Sequence, residues 1–329
     1  MHDHAHPSAE PSLPSDLTPE RLRVAVIGTG AIGAGVALLF ARAGYTVSTY
    51  NRSARGRDRA RKWINLALQI LVEADVETES AAREAVERIR SFVDIEEAAA
   101  GAGYILEAVA EDFELKREIF CRLDHVCPSP AILATGTSSL SVTLVAEATG
   151  NPERVVGTHH FTPAHLVPGV EVIAGAKTSP DTVAATCALL RRLKRRPVRV
   201  PDVPGFVANR LSCALRREAW AIVEEGLAEA EQVDELWMST VGLPFLALGP
   251  LQISDASGLD VLLAVHGYVE PVLKPPSEPA AIVQEMVRRG DFGLKTGRGF
   301  YEWPQDRVED LSRRRDSLLL AILKHQDST

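Results

Sequence analysis

Residues 24–33 constrain the fold of this chain more than any other stretch. They read Val-Ala-Val-Ile-Gly-Thr-Gly-Ala-Ile-Gly, so a short β-branched strand leads into the pattern Gly28-x-Gly30-x-x-Gly33 and then into an apolar helix. In such a unit the first glycine permits a tight turn, the second lets the backbone approach a pyrophosphate, and the third lets helix and strand pack closely. The helix start also offers free N–H groups to phosphates. The pattern predicts a dinucleotide site, with a glycine-rich turn of another α/β protein as the alternative; its phosphate-binding residues are Gly28, Gly30, Ala31, Ile32 and Gly33.

Composition narrows the class of protein. The chain has 329 residues, enough for two domains, and its net charge of −8 argues against a general nucleic-acid-binding surface. No apolar run reaches membrane-spanning length, so no membrane association is expected. The four cysteines show neither metal nor redox spacing, which favours a reduced, cytoplasmic protein.

The first twenty residues lack the basic start and apolar centre of a secretory signal. We predict that residues 1–20 form a disordered tail. His2, His4 and His6 alternate there and could hold a metal loosely, but an unstructured leader is the favoured interpretation, and no metal site is predicted.

Strand and helix signals alternate as far as residue 200, which predicts an α/β fold with a doubly wound, parallel, Rossmann-type sheet. The stretch 54–90 is long for one crossover and is predicted as a helical hairpin projecting from the sheet. After Pro201-Asp-Val-Pro204 the pattern changes to long helical stretches, of which 205–227 carries more apolar face than solvent exposure explains. We therefore expect a dinucleotide-binding domain at 21–202 and an all-helical substrate and dimerisation domain at 203–329, and hence a homodimer.

The end of the second predicted strand bears on the choice of cofactor. An acid usually binds the ribose 2′-hydroxyl at this position, but here Asn51, Arg52 and Ser53 follow the strand. A carboxylate would repel a 2′-phosphate, whereas Asn-Arg-Ser can bind one through charge-assisted hydrogen bonds. The sequence therefore predicts NAD or NADP and leans towards NADP. Alternatively, Asn51 bonds a ribose hydroxyl and the arginines line a solvated helix face.

Residues 155–173 hold a candidate acid–base pair. A predicted strand ends in His159, a Pro-containing loop follows, and the next strand carries Glu171. Oxidation of an alcohol needs a base that takes the hydroxyl proton, and histidine titrates near working pH. Strands joined by this loop can bring Glu171 back to His159, where a carboxylate would fix the imidazole tautomer. For His159 taken alone, a satisfied structural histidine is the alternative.

Six separated motifs occur in order along the chain: Gly28-x-Gly30-x-x-Gly33, Glu107-Ala-Val-Ala-Glu111-Asp-Phe-Glu-Leu-Lys116, Thr135-Gly-Thr-Ser138-Ser139-Leu, the His159 loop through Glu171, Pro204-Gly-Phe-Val-Ala-Asn209-Arg210-Leu, and Gly293-Leu-Lys-Thr-Gly-Arg-Gly-Phe-Tyr301. In these motifs the chain resembles the 3-hydroxyacyl-CoA dehydrogenase family, from residue 21 to about 303.

The resemblance implies roles for residues in these motifs. His159 matches the catalytic histidine, and Glu171 matches its partner carboxylate. Ser138 and Asn209 match the two groups that bind the substrate oxygen. Glu111 and Lys116 match residues beside the nicotinamide ribose. The alternatives are a helix cap for Ser138, a hydrogen-bonding residue at a helix start for Asn209, and an exposed helical ion pair for Glu111 and Lys116.

The chain departs from the family in the loop after the catalytic histidine. The usual loop reads His-Phe-Phe-Asn-Pro, whereas this chain has His159-His160-Phe161-Thr162-Pro163. Thr162 thus replaces an asparagine beside the nicotinamide, and His160 is a second candidate base. The section Pro163–Val172 is closer to the branch with carnitine dehydrogenase, gulonate 3-dehydrogenase and lambda-crystallin.

We expect an NAD(P)-dependent oxidoreductase that interconverts a 3-hydroxyacyl and a 3-ketoacyl substrate, with a short acyl-CoA thioester favoured. One alternative is a dehydrogenase of a small free hydroxy acid or of a carrier-protein thioester. The other is a cofactor-binding structural protein without turnover, although such a protein would need neither His159 nor Glu171.

Overall fold

The structure is a computed structural model that describes residues 17–127, 130–275 and 279–326. Most of the predicted tail, residues 1–16 with His2, His4 and His6, lies outside this range. The described part of the tail is ordered at its end, where the Tyr45 hydroxyl donates to the carbonyl of Leu17 at 2.8 Å.

Eight strands form one sheet in the order β3-β2-β1-β4-β5-β6-β7-β8. All neighbours pair in parallel except β6 and β7, which are antiparallel. The predicted doubly wound parallel sheet is therefore confirmed, with one antiparallel pair added. The strands are β1 (Arg23–Ile27), β2 (Thr46–Tyr50), β3 (Ile89–Phe92), β4 (Tyr104–Glu107), β5 (Ile132–Thr135), β6 (Val155–His160), β7 (Gly169–Ala174) and β8 (Arg196–Pro201).

Helices cover both faces of the sheet. One apolar core packs α1 and α7 against one face, and a second packs α4, α5 and α6 against the other. The inner strands β1, β4 and β5 are buried almost throughout, as a two-sided parallel sheet requires. The helices up to residue 192 are α1 (Ala31–Arg42), α2 (Ala54–Glu73), α3 (Glu79–Glu87), α4 (Ile95–Ala99), α5 (Phe113–Val126), α6 (Val142–Ala146) and α7 (Pro180–Arg192).

The predicted hairpin over 54–90 is right in its helices and wrong in its last residues. Helices α2 and α3 form it, but the chain then re-enters the sheet as β3. This short edge strand has two exposed central residues, so its sequence carries little apolar alternation.

The chain divides into two compact units, residues up to Asn209 together with those from Asp316, and residues Arg210–Arg315. The predicted domain boundary between residues 202 and 203 stays a prediction. Residues 316–326 were predicted to belong to the helical domain, but they group with the first unit. Gly258, with a φ of +86°, separates two consecutive helices of the second unit. The remaining helices are α8 (Ala208–Glu224), α9 (Ala230–Leu236), α10 (Pro250–Ser257), α11 (Leu259–Val269), α12 (Ala281–Arg289) and α13 (Gln305–Gln326).

None of the helices in the described ranges combines the length and the apolar character that a bilayer crossing requires.

Candidate active site

A cavity of about 600 Å³ opens at the carboxyl end of the sheet, where the strand order reverses beside β1. Ligands of doubly wound folds bind at this switch point, because the strand ends and helix starts leave a crevice there. Gly33, Ser53 and Lys116 are the predicted cofactor residues that do not line the cavity. The predicted site residues along its wall are Gly28, Gly30, Ala31, Ile32, Asn51, Arg52, Glu111 and Ser138.

The three glycines of the turn between β1 and α1 have different surroundings. Gly28 has a φ of +97°, and a Cβ on Gly33 would lie 1.9 Å from the carbonyl oxygen of Gly28. A Cβ on Gly30 would meet no atom of the described residues within 4 Å. The first and third glycines thus permit the turn and its packing, whereas the space beside Gly30 is open towards the cavity. This arrangement fits a bound pyrophosphate.

Asn51 is held at the cavity wall after β2. Its side-chain amide donates to the hydroxyl of Thr29, and a Cβ on Gly56 would lie 2.1 Å from its Oδ1. Ser53 caps α2, since its Oγ accepts the N–H of Gly56 at 3.1 Å. Arg52 and Arg59 line the same cavity with exposed side chains. The wall near Asn51 therefore presents an amide and two guanidinium groups, with no carboxylate at position 51.

Lys116 is fully buried, so the alternative of an exposed helical ion pair is wrong for this residue. Its Nζ lies 2.7 Å and 3.0 Å from the two carboxylate oxygens of Glu107, which is also fully buried. Glu107 further accepts from Thr135 Oγ1 and the N–H of Val109, both at 2.8 Å. No role was predicted for Glu107 from the motif that begins with it, although an acid at the end of a buried strand, nine residues before a lysine, is a usable signal of such a pair.

Glu111 organises the loop that carries Ser138. One of its oxygens accepts from Thr137 Oγ1 at 2.6 Å and from the N–H groups of Ser138 and Ser139 at 2.8 Å and 3.0 Å. Burial opposes ionisation of this carboxyl, but these hydrogen bonds and the charge of Lys116, 3.4 Å away, outweigh it and lower the pKa of Glu111. Glu111 is therefore an anion that holds the loop at the cavity edge.

His159 and Glu171 face each other directly across the antiparallel pair β6 and β7. His159 Nδ1 lies 2.7 Å from Glu171 Oε2, and both residues are buried, at 4% and 5% exposure. The other oxygen of Glu171 accepts the N–H groups of Val207 and Ala208, each at 2.9 Å. An ionised Glu171 makes Nδ1 the donor, which leaves Nε2 as the basic nitrogen of the ring.

His160 is buried on the same strand without a carboxylate partner among the described residues. It stands opposite Val170, and its Nε2 has no hydrogen-bond partner in the described part of the chain. Burial, together with the charges of Arg195 and His159, lowers the pKa of His160 to about 3. His160 is therefore neutral at working pH, which favours His159 as the acid–base group.

Asn209 and Ser138 come together although they are 71 residues apart. The Asn209 amide donates to the backbone carbonyl of Ser138 at 2.7 Å. Asn209 lies in the first turn of α8, next to the N–H groups that bind Glu171. The structure thus joins three of the predicted catalytic residues, Glu171, Asn209 and Ser138, through the start of one helix.

Comparisons with known proteins match both parts of the chain to the same family. Residues 23–203 match the 3-hydroxyacyl-CoA dehydrogenase NAD binding domain, and residues 205–303 match the 3-hydroxyacyl-CoA dehydrogenase C-terminal domain. The chain is 34% identical to a probable 3-hydroxybutyryl-CoA dehydrogenase of Bacillus subtilis over 86% of this chain and 98% of that protein.

A second relative is 5-formyl-3-hydroxy-2-methylpyridine 4-carboxylate 5-dehydrogenase of Mesorhizobium japonicum, 33% identical over 91% of this chain and 96% of that protein. A crystal structure of a dehydrogenase for this pyridine substrate, described as an NAD⁺-dependent dismutase, has a TM-score of 0.85 and covers 93% of this chain and 98% of its own. The structure of M. tuberculosis FadB2 has a TM-score of 0.73 at 35% identity, covering 86% of this chain and 99% of its own.

Proposed function

The chain belongs to the 3-hydroxyacyl-CoA dehydrogenase family, and from this premise we propose that it interconverts a 3-hydroxyacyl and a 3-ketoacyl substrate, with a short acyl-CoA thioester favoured. It is an oxidoreductase that carries an NAD binding domain and acts on CH–OH groups. The observation that carries the proposal is the buried His159–Glu171 pair, with its 2.7 Å contact, in the same unit as the open glycine turn.

The chain's own groups have the chemistry this reaction requires. A nicotinamide cofactor held at the turn of Gly28 and Gly30 would supply the acceptor or donor of the hydride. In the oxidation direction, His159 Nε2 takes the hydroxyl proton, and in reduction it gives the proton back. Glu171 keeps Nδ1 protonated and stabilises the imidazolium that forms.

Two neutral donors complete the proposed machinery. Ser138 and Asn209 are assigned to the substrate oxygen, whose charge changes as the hydride moves. Their support is proximity, because the Asn209 amide bonds the Ser138 carbonyl and Glu111 fixes the loop of Ser138. Neutral donors suit this task because they stabilise developing negative charge without repelling either form of the substrate.

The test is a nicotinamide-absorbance assay of the purified protein with 3-hydroxybutyryl-CoA, carnitine and gulonate. We expect turnover with the thioester and a loss of about 10²–10⁴-fold in kcat for His159→Gln and for Glu171→Gln. His125→Gln is the control, because His125 is exposed on α5 and bonds only a backbone carbonyl in the described contacts. Full activity of His159→Gln, or cofactor binding without turnover on any substrate, would overturn the proposal.

A free hydroxy acid is the second candidate substrate. The observation in its favour is the relation to the pyridine-carboxylate dehydrogenase, whose named substrate is a free acid and not a thioester and whose structure has a TM-score of 0.85 with this chain. Rates on the thioester and on the matching free acid separate the two candidates, and the pyridine carboxylate of that relative belongs in the panel. A kcat/KM that is higher for the free acid would replace the thioester as the favoured substrate.

We further propose a preference for NADP over NAD. Its support is the amide of Asn51 and the guanidinium groups of Arg52 and Arg59 on the cavity wall, where no carboxylate repels a 2′-phosphate. The double variant Asn51→Asp/Arg52→Ala is expected to shift the ratio of kcat/KM towards NAD by about tenfold or more. An unchanged ratio would contradict this preference.

We infer a homodimer in the reducing cytoplasm. The second unit exposes many large apolar side chains, among them Leu251 at 80% and Leu263 at 75%. All four cysteines are free thiols, as expected for a reducing compartment.

A further inference from the structure

The segment that connects β8 to α8 contains two successive residues in the left-handed backbone region. Gly205 has a φ of +74°, and Phe206 has a φ of +50°. Glycine adopts this region without a steric penalty, but a bulky residue rarely does. Phe206 is also fully buried. A strained residue persists only where its surroundings determine its conformation, and such residues cluster at functional sites.

Phe206 is held by a ring contact with His159 and by hydrogen bonds that fix the chain upstream of it. The centroid of its ring lies 5.9 Å from the centroid of the His159 imidazole. The His159 imidazole also packs against the ring of Phe161, with a centroid distance of 4.4 Å. Upstream, the carboxylate of Asp202 accepts from Ser141 Oγ at 2.9 Å and from the Thr143 N–H and hydroxyl at 2.9 Å and 2.7 Å. The chain is thus tied to the start of α6 before it reaches Phe206.

The left-handed pair determines where the next two N–H groups point. Val207 and Ala208 both donate to Oε1 of Glu171 at 2.9 Å, while Oε2 of the same carboxylate binds His159. Successive N–H groups beside a left-handed residue form a concave site for an anion, and the start of α8 adds its positive dipole end. The anion in this case is the chain's own Glu171.

We propose that Phe206 is a positioning residue, whose left-handed backbone delivers the Val207 and Ala208 N–H groups to Glu171 and so holds that carboxylate opposite His159. Glu171 is 95% buried, so loss of these donors leaves Oε1 without partners inside the protein. The carboxylate then turns towards water, and His159 loses its partner. The inference rests on the proposed role of the pair, but its test does not require turnover.

The test measures the imidazole titration of His159 by NMR in the full chain, with its resonances assigned by their loss in His159→Gln. In an otherwise wild-type chain, Glu171→Gln is expected to lower the titration midpoint of His159 by about one pH unit or more, because the substitution removes an opposite charge. The size of this drop reports how well the carboxylate faces the ring, and it can be measured in any variant of Phe206.

Two substitutions at position 206 separate backbone from ring. Phe206→Gly keeps the left-handed conformation and deletes the ring, whereas Phe206→Val deletes less volume but resists a positive φ. We expect the decrease in the His159 titration midpoint caused by Glu171→Gln to stay near its wild-type size in the Phe206→Gly background. In the Phe206→Val background this decrease should fall below half of its wild-type size. If packing of the ring were what mattered, the Gly variant would lose more than the Val variant, and this order would overturn the proposal.

Ala208→Pro supplies an independent check if Phe206→Val does not fold. Ala208 is the first residue of α8, a position that favours proline, so the substitution removes one of the two donors with little strain. The drop should again shrink. A wild-type drop in folded Phe206→Val or in Ala208→Pro would overturn the inference. Absence of turnover with a normal titration pattern would instead contradict the proposed function alone.

Discussion

His159 and His160 are neighbours in the chain, but successive side chains of a strand point to opposite faces of the sheet. His159 therefore meets Glu171 across the ladder, whereas His160 stands opposite Val170. The pairing of His159 with Glu171 was predictable, because a short loop between two strands returns a residue near its partner. The neutrality of His160 was not predictable, because it depends on a burial that no local pattern encodes.

His160 makes stability depend on pH. Its pKa is lowered from 6.5 to about 3 in the folded state, so the unfolded chain binds the proton first as pH falls. The free energy of unfolding therefore decreases progressively from about pH 6.5 down to about pH 3. At about pH 5 it is about 2 kcal/mol lower than above about pH 7. His160→Phe, which restores the usual residue of the family loop, should remove this part of the loss.

Urea unfolding at about pH 7.5 and about pH 5 measures the effect as a difference in the free energy of unfolding. His266→Gln is the matched control, because His266 is exposed and should leave the pH dependence unchanged. A wild-type pH dependence in His160→Phe would mean that another group carries the loss.

The turn between β1 and α1 allows a prediction at the scale of elements. Gly30→Ala should change the free energy of unfolding by less than about 1 kcal/mol, because φ is −67° and its Cβ meets no atom within 4 Å among residues 17–127, 130–275 and 279–326. The same substitution should weaken NAD binding by about tenfold or more, because the Cβ fills the space that lets a pyrophosphate approach.

Gly33→Ala should behave in the opposite way. Its Cβ would lie 1.9 Å from the carbonyl oxygen of Gly28, so we expect a loss of stability on the order of 2 kcal/mol. Urea unfolding without cofactor, together with a fluorescence titration of NADH, separates the two variants. Tight NADH binding by Gly30→Ala would exclude a pyrophosphate beside Gly30.

The ion pair between β4 and α5 should be costly to break from one side. Lys116→Met leaves Glu107 as a buried charge without its cation, and we expect a loss of about 3 kcal/mol in the free energy of unfolding. Glu107→Gln in the same chain should recover more than half of the loss, because it removes the charge and keeps an acceptor for the Val109 N–H. Arg83→Met breaks an exposed pair, 76% exposed on each side, and should cost less than about 1 kcal/mol. Equal losses for the two methionine variants would contradict a role for burial.

Strand β3 and the packing of α13 were not predictable from the sequence, for physical reasons. Strand β3 lies at the sheet edge with the pattern Ile-Arg-Ser-Phe, in which only the end residues are partly buried. Helix α13 is rich in charge, and the residues Leu319, Leu320 and Leu323 pack against the α2 region. In both cases a distant part of the chain supplies the partner surface, and tertiary packing decides the structure where local periodicity is weak.

At the scale of the whole molecule, the exposed apolar surface of the second unit leads to the last prediction. Leu251 on α10 and Leu263 and Tyr268 on α11 are at least three-quarters exposed, at 80%, 75% and 85%. Isolated exposed apolar side chains are ordinary, but a concentration of them marks an association surface. We therefore expect sedimentation equilibrium to give twice the chain mass of 35.6 kDa.

Leu263→Glu tests this assembly, because association would bury a carboxylate without a partner. The cost should be on the order of 2 kcal/mol or more, which weakens the dimer by about thirtyfold or more. Leu66→Glu is the matched control, since Leu66 is 56% exposed on α2 in the first unit and should leave the dimer intact. A monomeric wild type at all concentrations, or equal dimerisation of both variants, would show that these helices serve another purpose than self-association.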